Sequence, residues 1–179
     1  MSKTKIGFIG PQGSGKTTTA YALASELKKK GNDVYVLSEV ARSCPLPLNE
    51  GTSIETQLWI LGKQITREQS AKAQILVSDR TVLDVFCYGM WVAPDFFTQA
   101  KPFIKEYLLS YDYIFYLKPN DDYLVDDGIR SINKDFRDDI DDLMTKYVEE
   151  LQIPSIVIDS GDIVNIMLCL QGDDNVQII

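Results

Sequence analysis

The sequence predicts an α/β fold: a three-layer αβα sandwich around a five-stranded parallel sheet, with a helical lid. Three observations carry this reading. Five short apolar runs alternate with helical stretches, a glycine-rich turn ends the first run, and charged residues follow the second and third runs.

Lys5–Gly10 is an apolar run bounded by Gly and Pro, read as the first strand. Over Thr17–Lys30, Ala20, Leu23, Ala24 and Leu27 recur at helical spacing; Lys28, Lys29 and Lys30 meet the negative end of the helix dipole, and Gly31 supplies the stop. Asp33–Leu37 is the second strand, and Cys44–Gly51, with two prolines, is a loop. Ile54, Leu58, Leu61 and Ile65 form one stripe of a long amphipathic helix over Ser53–Gln74, which leads into the third strand, Ile75–Ser78. Thr81–Trp91 and Pro94–Leu109 read as helical, Tyr113–Leu117 and Pro154–Ile158 as strands, and Asp162–Leu170 as a closing helix. The charged segment Lys118–Glu150 lies between the last two strands, and its acidic opening, Asp121–Asp127, reads as a surface excursion. At 179 residues the chain is expected to form one domain over 1–179, with the lid at about 119–137.

Composition narrows the function classes. The chain carries 18 basic and 26 acidic residues, a net charge of −8, so it lacks the broad basic surface that drives binding to nucleic acid or anionic lipid. Any phosphate it handles must be held by a local cluster. It contains no histidine, which removes the commonest zinc ligand and the commonest general base. Cys44, Cys87 and Cys169 are widely spaced and read as reduced thiols. With no secretory h-region and no run of about 20 apolar residues, a soluble cytoplasmic protein away from membranes is expected.

Gly10-Pro11-Gln12-Gly13-Ser14-Gly15-Lys16-Thr17 matches the phosphate-loop pattern GxxxxGK[ST], placed between an expected strand and an expected helix. Glycines at 10, 13 and 15 let successive N–H groups turn inward, beside the positive end of the helix. Nucleotide contacts are therefore assigned to Gly10, Gly13, Ser14, Gly15, Lys16, Thr17 and Thr18. Lys16 would reach the terminal phosphates and the Thr17 hydroxyl would serve Mg²⁺. No NKxD-type guanine reader follows the fourth strand, so ATP is the expected donor.

In an open parallel sheet, ligands sit beyond the carboxyl ends of the strands. Asp79 ends the third strand in the manner of a Walker B acid and is the second expected Mg²⁺ contact; helix capping is its compatible alternative use. Arg80 beside it suits a phosphoryl group, where a hydrolytic motor would place a second carboxylate. Glu39 is read either as proton acceptor or Mg²⁺-side acid, or as a helix-capping acid; Arg42, three residues on, either clamps the acceptor or pairs with Glu39. Arg130, Lys134 and Arg137 would form one cationic stripe if Gly128–Arg137 is helical, serving as a lid over the phosphates or as a solvated face. Gln57 and Gln64, with Trp59, Phe86 and Tyr88, are the acceptor-pocket candidates, although such aromatics are more often core.

These residues, Gly10–Thr18, Glu39–Arg42, Asp79-Arg80 and Arg130–Arg137, resemble the P-loop nucleoside and nucleotide kinase superfamily: thymidylate-kinase-like, deoxynucleoside-kinase-like and nicotinamide-riboside-kinase-like proteins, and small AAA-type ATP-binding kinases. The resemblance implies that the loop strand lies between the third and fourth strands. It also implies roles for Glu39 as base or magnesium-side acid, for Asp79 and Arg80 at magnesium and phosphate, and for Arg130 and Arg137 in the lid. Glu39-Val40-Ala41-Arg42 departs from the Glu-Pro-Gly-Gly segment of thymidylate kinases. The expected activity is ATP- and Mg²⁺-dependent transfer of the γ-phosphate to a hydroxyl or phosphate of a nucleoside-type small molecule. Hydroxymethylated pyrimidines in DNA and an ATPase switch acting on a protein partner are the alternatives, and a homodimer is left open.

Overall fold

The computed structural model describes residues 3–123, 128 and 131–171. Five strands, β1 (Thr4–Ile9), β2 (Val34–Leu37), β3 (Ile75–Ser78), β4 (Tyr113–Leu117) and β5 (Ile156–Ile158), form one sheet in the order β2-β3-β1-β4-β5. Every pairing is parallel, with Ile6 opposite both Val77 and Tyr113. The phosphate-loop strand thus lies at the centre, between β3 and β4.

Parallel strands need crossovers, and helices supply them on both faces. On one face Ile6, Phe8, Val77 and Phe115 pack against Leu23 and Leu27 of α1 (Lys16–Lys29) and Ile166 of α7 (Ile163–Cys169). On the other, Leu76 meets Ile60 of α2 (Ile54–Ser70) and Val85 of α3 (Val82–Val92). Ile114 and Tyr116 are covered there by α3, α5 (Lys101–Leu108) and α6 (Lys134–Glu150).

Two expectations are corrected, and the charged stretch resolves in detail. Pro94–Leu109 is not one helix: α4 (Pro94–Phe97) and α5 are joined by a 3-10 turn, Thr98–Ala100. Pro102 lacks the N–H that a continuous helix would need there, so it sits in the first turn of α5 instead. The stripe over Gly128–Arg137 does not form as one helix, because α6 begins at Lys134: Asn133, with ψ 114°, caps it by accepting the Phe136 N–H. Arg130 lies outside the described residues, as does part of the expected lid. Finally, the charged stretch up to Glu150 conceals a core helix, whose Phe136, Ile140, Met144 and Tyr147 are all buried beneath acidic neighbours.

Gly7 of β1 lies under close cover from the cap of α3 and the turn after α5. A Cβ there would meet Thr81 Cγ2 at 2.6 Å and the Tyr111 ring at 2.8 Å. Gly7→Ala is therefore expected to lower stability by about 1–3 kcal/mol, read as a fall in the urea midpoint at unchanged slope; an unchanged midpoint would show that the sheet relaxes freely.

Candidate active site

The carboxyl ends of β1, β2 and β3 meet at one edge, and the phosphate loop crosses it. Gly10, Gly13 and Gly15 have φ of 146°, 69° and 76°, the left-handed range that glycine tolerates. The loop has solid backing. A Cβ at Gly10 would strike the Leu117 carbonyl oxygen, and one at Gly15 would strike Ser160, whose turn is tied to α1 because the Gly161 N–H donates to Thr19 Oγ1 at 2.9 Å. Asn120, just past β4, donates its N–H to Gly13 O at 3.0 Å.

Lys16 is buried and folded back on the loop. Its ammonium donates to Gly10 O at 2.6 Å, Pro11 O at 2.5 Å and Ser14 Oγ at 3.0 Å. Burial, with Arg80 adding repulsion, lowers its pKa to about 7. Thr17 Oγ1 donates to Asp79 Oδ2 at 2.8 Å, which brings the two expected Mg²⁺ contacts together. Burial and the nearby Glu39 raise the Asp79 pKa. Asp79 does not cap α3; that role falls to Thr81, whose capping box is completed by Asp84.

Arg80 is the hub. Its Nε donates to Glu39 Oε1 at 2.8 Å and its Nη1 to Asp84 Oδ1 at 3.3 Å, while its guanidinium lies 5.8 Å from the centre of the Tyr88 ring. Burial opposes its charge, yet Glu39, Tyr88 and Asp84 together hold its pKa well above the ordinary value. Arg42 Nε donates to the other Glu39 oxygen at 3.0 Å, so both arginines flank one carboxylate.

Two clefts adjoin here. The phosphate cleft is lined by residues 12–18 with Glu39, Asp79, Arg80 and Tyr123. The second is walled by Arg42, Gln57, Asp84 and Tyr88 and by apolar Leu48, Ile60 and Val85. Gln12, Glu39 and Arg80 line both. Gln12 is 3% exposed; its Oε1 accepts from the Tyr88 hydroxyl at 2.8 Å, and its buried Nε2 has no hydrogen-bond partner. An unmatched buried amide is costly in a folded protein, so it points to a ligand group that completes it.

The remaining candidates divide. Gln57 lines the second cleft and donates to Thr52 Oγ1 at 2.6 Å. Gln64, expected among acceptor contacts, instead donates to Glu68, to Ser78 Oγ and to the Arg80 carbonyl at 2.8, 3.0 and 2.9 Å, so it holds the Arg80 backbone from behind. Phe86 is core, and Trp59 packs against the separate cluster of Leu37, Val40, Ile60, Leu76 and Val85. Arg137 does not line the phosphate cleft: it donates to Asp121 and Asp138 at 2.7 and 2.9 Å, and Lys134 joins the same Asp121 at 2.6 Å. These two cations hold the Asp121 carboxyl down at about 2. Asp84 and Gln12 were not singled out by sequence reading. The Thr81-x-x-Asp84 spacing signals the first, whereas the x positions of a phosphate loop carry no signal for the second.

A polar loop with three left-handed glycines, a lysine, and a hydroxyl paired to a strand-end acid defines the P-loop α/β class. The chain belongs to the AAA domain family, whose model matches residues 5–165. Its fold is that of the P-loop nucleoside and nucleotide kinases. Deoxyadenosine kinase from M. mycoides, solved with the products dCMP and a flexible dCDP, superposes with a TM-score of 0.69 at 19% identity, covering 96% of this chain and all of that one. Thymidylate kinase from Ehrlichia chaffeensis gives 0.65 at 19% identity, covering 96% and 100%. NadR in complex with NR gives 0.65 at 20%, covering 89% of this chain and 47% of that one. No curated protein matches the sequence. Among the described residues, no helix is long and apolar enough to cross a membrane.

Tyr88→Phe strips Gln12 of its one hydrogen bond. The expected cost is about 1–3 kcal/mol in denaturant unfolding, and a loss below a few tenths would show that the amide finds another partner.

Proposed function

We propose that this chain is an ATP- and Mg²⁺-dependent kinase that moves the γ-phosphate onto a hydroxyl or phosphate of a nucleoside- or nucleotide-type acceptor. One observation carries the reading: a phosphate cleft and a second, half-apolar cleft share a wall made of Gln12, Glu39 and Arg80. A hydrolase needs only the first. The relatives in fold support the class, since deoxyadenosine kinase and thymidylate kinase are both phosphotransferases by name.

The residues fit a nucleoside triphosphate and a magnesium ion. The loop glycines leave a cradle that a Cβ would fill, and Lys16 is a buried cation with only neutral partners within hydrogen-bond distance. Among the described residues no three His, Cys, Asp or Glu cluster as a self-sufficient metal site. Thr17 and Asp79 suit a metal that also takes phosphate oxygens and water. Bound there, Mg²⁺ would neutralise charge that develops on the transferring group. Lys16 turns from the loop carbonyls to the terminal phosphates, Arg80 stabilises the equatorial oxygens, and Glu39 orients the acceptor. The lid is assigned to about 119–137 within one domain spanning 1–179. The setting is the cytoplasm.

Labelled ATP with a panel of nucleosides, nucleotides and modified DNA tests this reading. Labelled acceptor is expected, and ATP hydrolysis indifferent to every acceptor would overturn it. A second outcome follows from Lys16. Its free-protein pKa of about 7 leaves it mostly neutral at pH 8. Phosphate anions favour the charged form, so binding raises that pKa and takes up a proton. The calorimetric enthalpy of ATP binding at pH 8 should therefore change with the ionisation heat of the buffer, and much less at pH 6. A buffer-independent enthalpy at pH 8 would contradict the shift.

A further inference from the structure

We infer that the group receiving the phosphate is a neutral hydroxyl, not a phosphate monoester; this rests on the kinase reading and narrows it. The charged residues lining the second cleft, among those described, are Glu39, Asp84, Arg42 and Arg80, two of each sign. They are matched in place. Glu39 takes one guanidinium on each oxygen, at 2.8 Å from Arg80 and 3.0 Å from Arg42, and Arg80 also meets Asp84. Glu39 and Arg80 side chains are only 10% and 13% exposed, so little water screens them.

A phosphate monoester near neutral pH brings about −1.5 to −2 charges. At this wall it would face two carboxylates; Arg42 is paired with Glu39, and Arg80, clasped by Glu39 and Asp84, is the one cation there shared with the transferring group, so none is left to match a second phosphate. Lys16 lies on the other side, folded against the loop, and the Asp79–Thr17 pair belongs to the donor end. An uncharged acceptor avoids the conflict. A carboxylate is an acceptor of hydrogen bonds, and Glu39 stands on the wall common to both clefts, so a hydroxyl in the second cleft meets an acceptor there where a phosphate meets a like charge. Gln12 Nε2, buried and unmatched on the shared wall, supplies a neutral donor suited to an uncharged ligand oxygen. Leu48, Ile60 and Val85 line the remainder, which fits the body of a nucleoside.

The step balances. Glu39 takes the hydroxyl proton as the acceptor oxygen bonds to the γ-phosphorus. The bond from that phosphorus to the bridging oxygen breaks, and its electron pair leaves on ADP. The proton then passes to solvent.

The full chain, with ATP and Mg²⁺, is offered 2′-deoxyribonucleosides and their 5′-monophosphates in parallel, while calorimetry follows ATP binding. Nucleosides are expected to be phosphorylated at least 10-fold more efficiently, in kcat/KM, than the monophosphates. Monophosphates favoured over nucleosides would overturn the hydroxyl assignment and leave the kinase reading standing. ATP bound but no acceptor used would remove both. Glu39→Gln gives an independent measurement: for a hydroxyl acceptor kcat falls about 10²–10⁴-fold with KM changed little. Unchanged or raised turnover on monophosphates in that variant would argue for a phosphate acceptor. The wild-type panel decides the matter even if the variant does not fold.

Discussion

The polar edge of this molecule is organised by the clasp on Arg80. Its side chain is held by Glu39, just past β2, and by Asp84 in α3. Its carbonyl is held by Gln64 in α2 and by Ser78 at the end of β3. One residue thereby fixes two strand ends and two helices relative to each other. Gln64 extends the grip downward to Glu68, a buried acid that also takes hydrogen bonds from Tyr107 and Tyr111 and an ion pair from Lys5. A largely buried guanidinium, a largely buried carboxylate at Glu39 and a fully buried one at Asp84 are tolerable only because each satisfies the others, so the geometry of the clasp is strongly specified.

The arrangement accounts for how an acidic chain handles an anion. At the two clefts, positive character comes from the loop amides, the start of α1, Lys16 and the arginine pair, while the net charge of the chain is −8. The loop lysine carries the electrostatic tension: buried and lowered to about 7, it rests on carbonyls that stabilise it less than an anion would. In this sense the phosphate cleft is set up for the ligand before the ligand arrives.

Much of this was legible in the sequence. The motif at Gly10–Thr17 fixed both the first strand and the first helix, and Asp79 and Arg80 were found because a parallel sheet places ligands beyond its strand ends. Glu39 carried two readings, base or magnesium-side acid and capping acid; its side chain makes no cap hydrogen bond and instead meets Arg42 and Arg80 on the wall between two clefts. What escaped did so for physical reasons. The bounds of helix α6 escaped because Asp138, Asp139, Asp141 and Asp142 interrupt the apolar stripe in a linear reading; once the helix forms, Asp138, Asp139 and Asp142 are exposed, while Asp141 is half-buried and accepts the Tyr116 hydroxyl at 2.6 Å. Gln64 was misplaced because an amide at helical spacing gives no sign of whether it meets a ligand or a neighbouring carbonyl. Arg137 was assigned to phosphate by its charge, while Asp121, sixteen residues away, claims it.

The seat of Gly15 against Ser160 has a wider meaning. The turn after the edge strand β5 backs the glycine-rich loop, although about 145 residues of chain separate the two. The sheet's rim is thus no ornament that a shortened homologue could shed. Trimming it would remove the support behind the Gly15 bend, so chain length and loop geometry are bound to each other here.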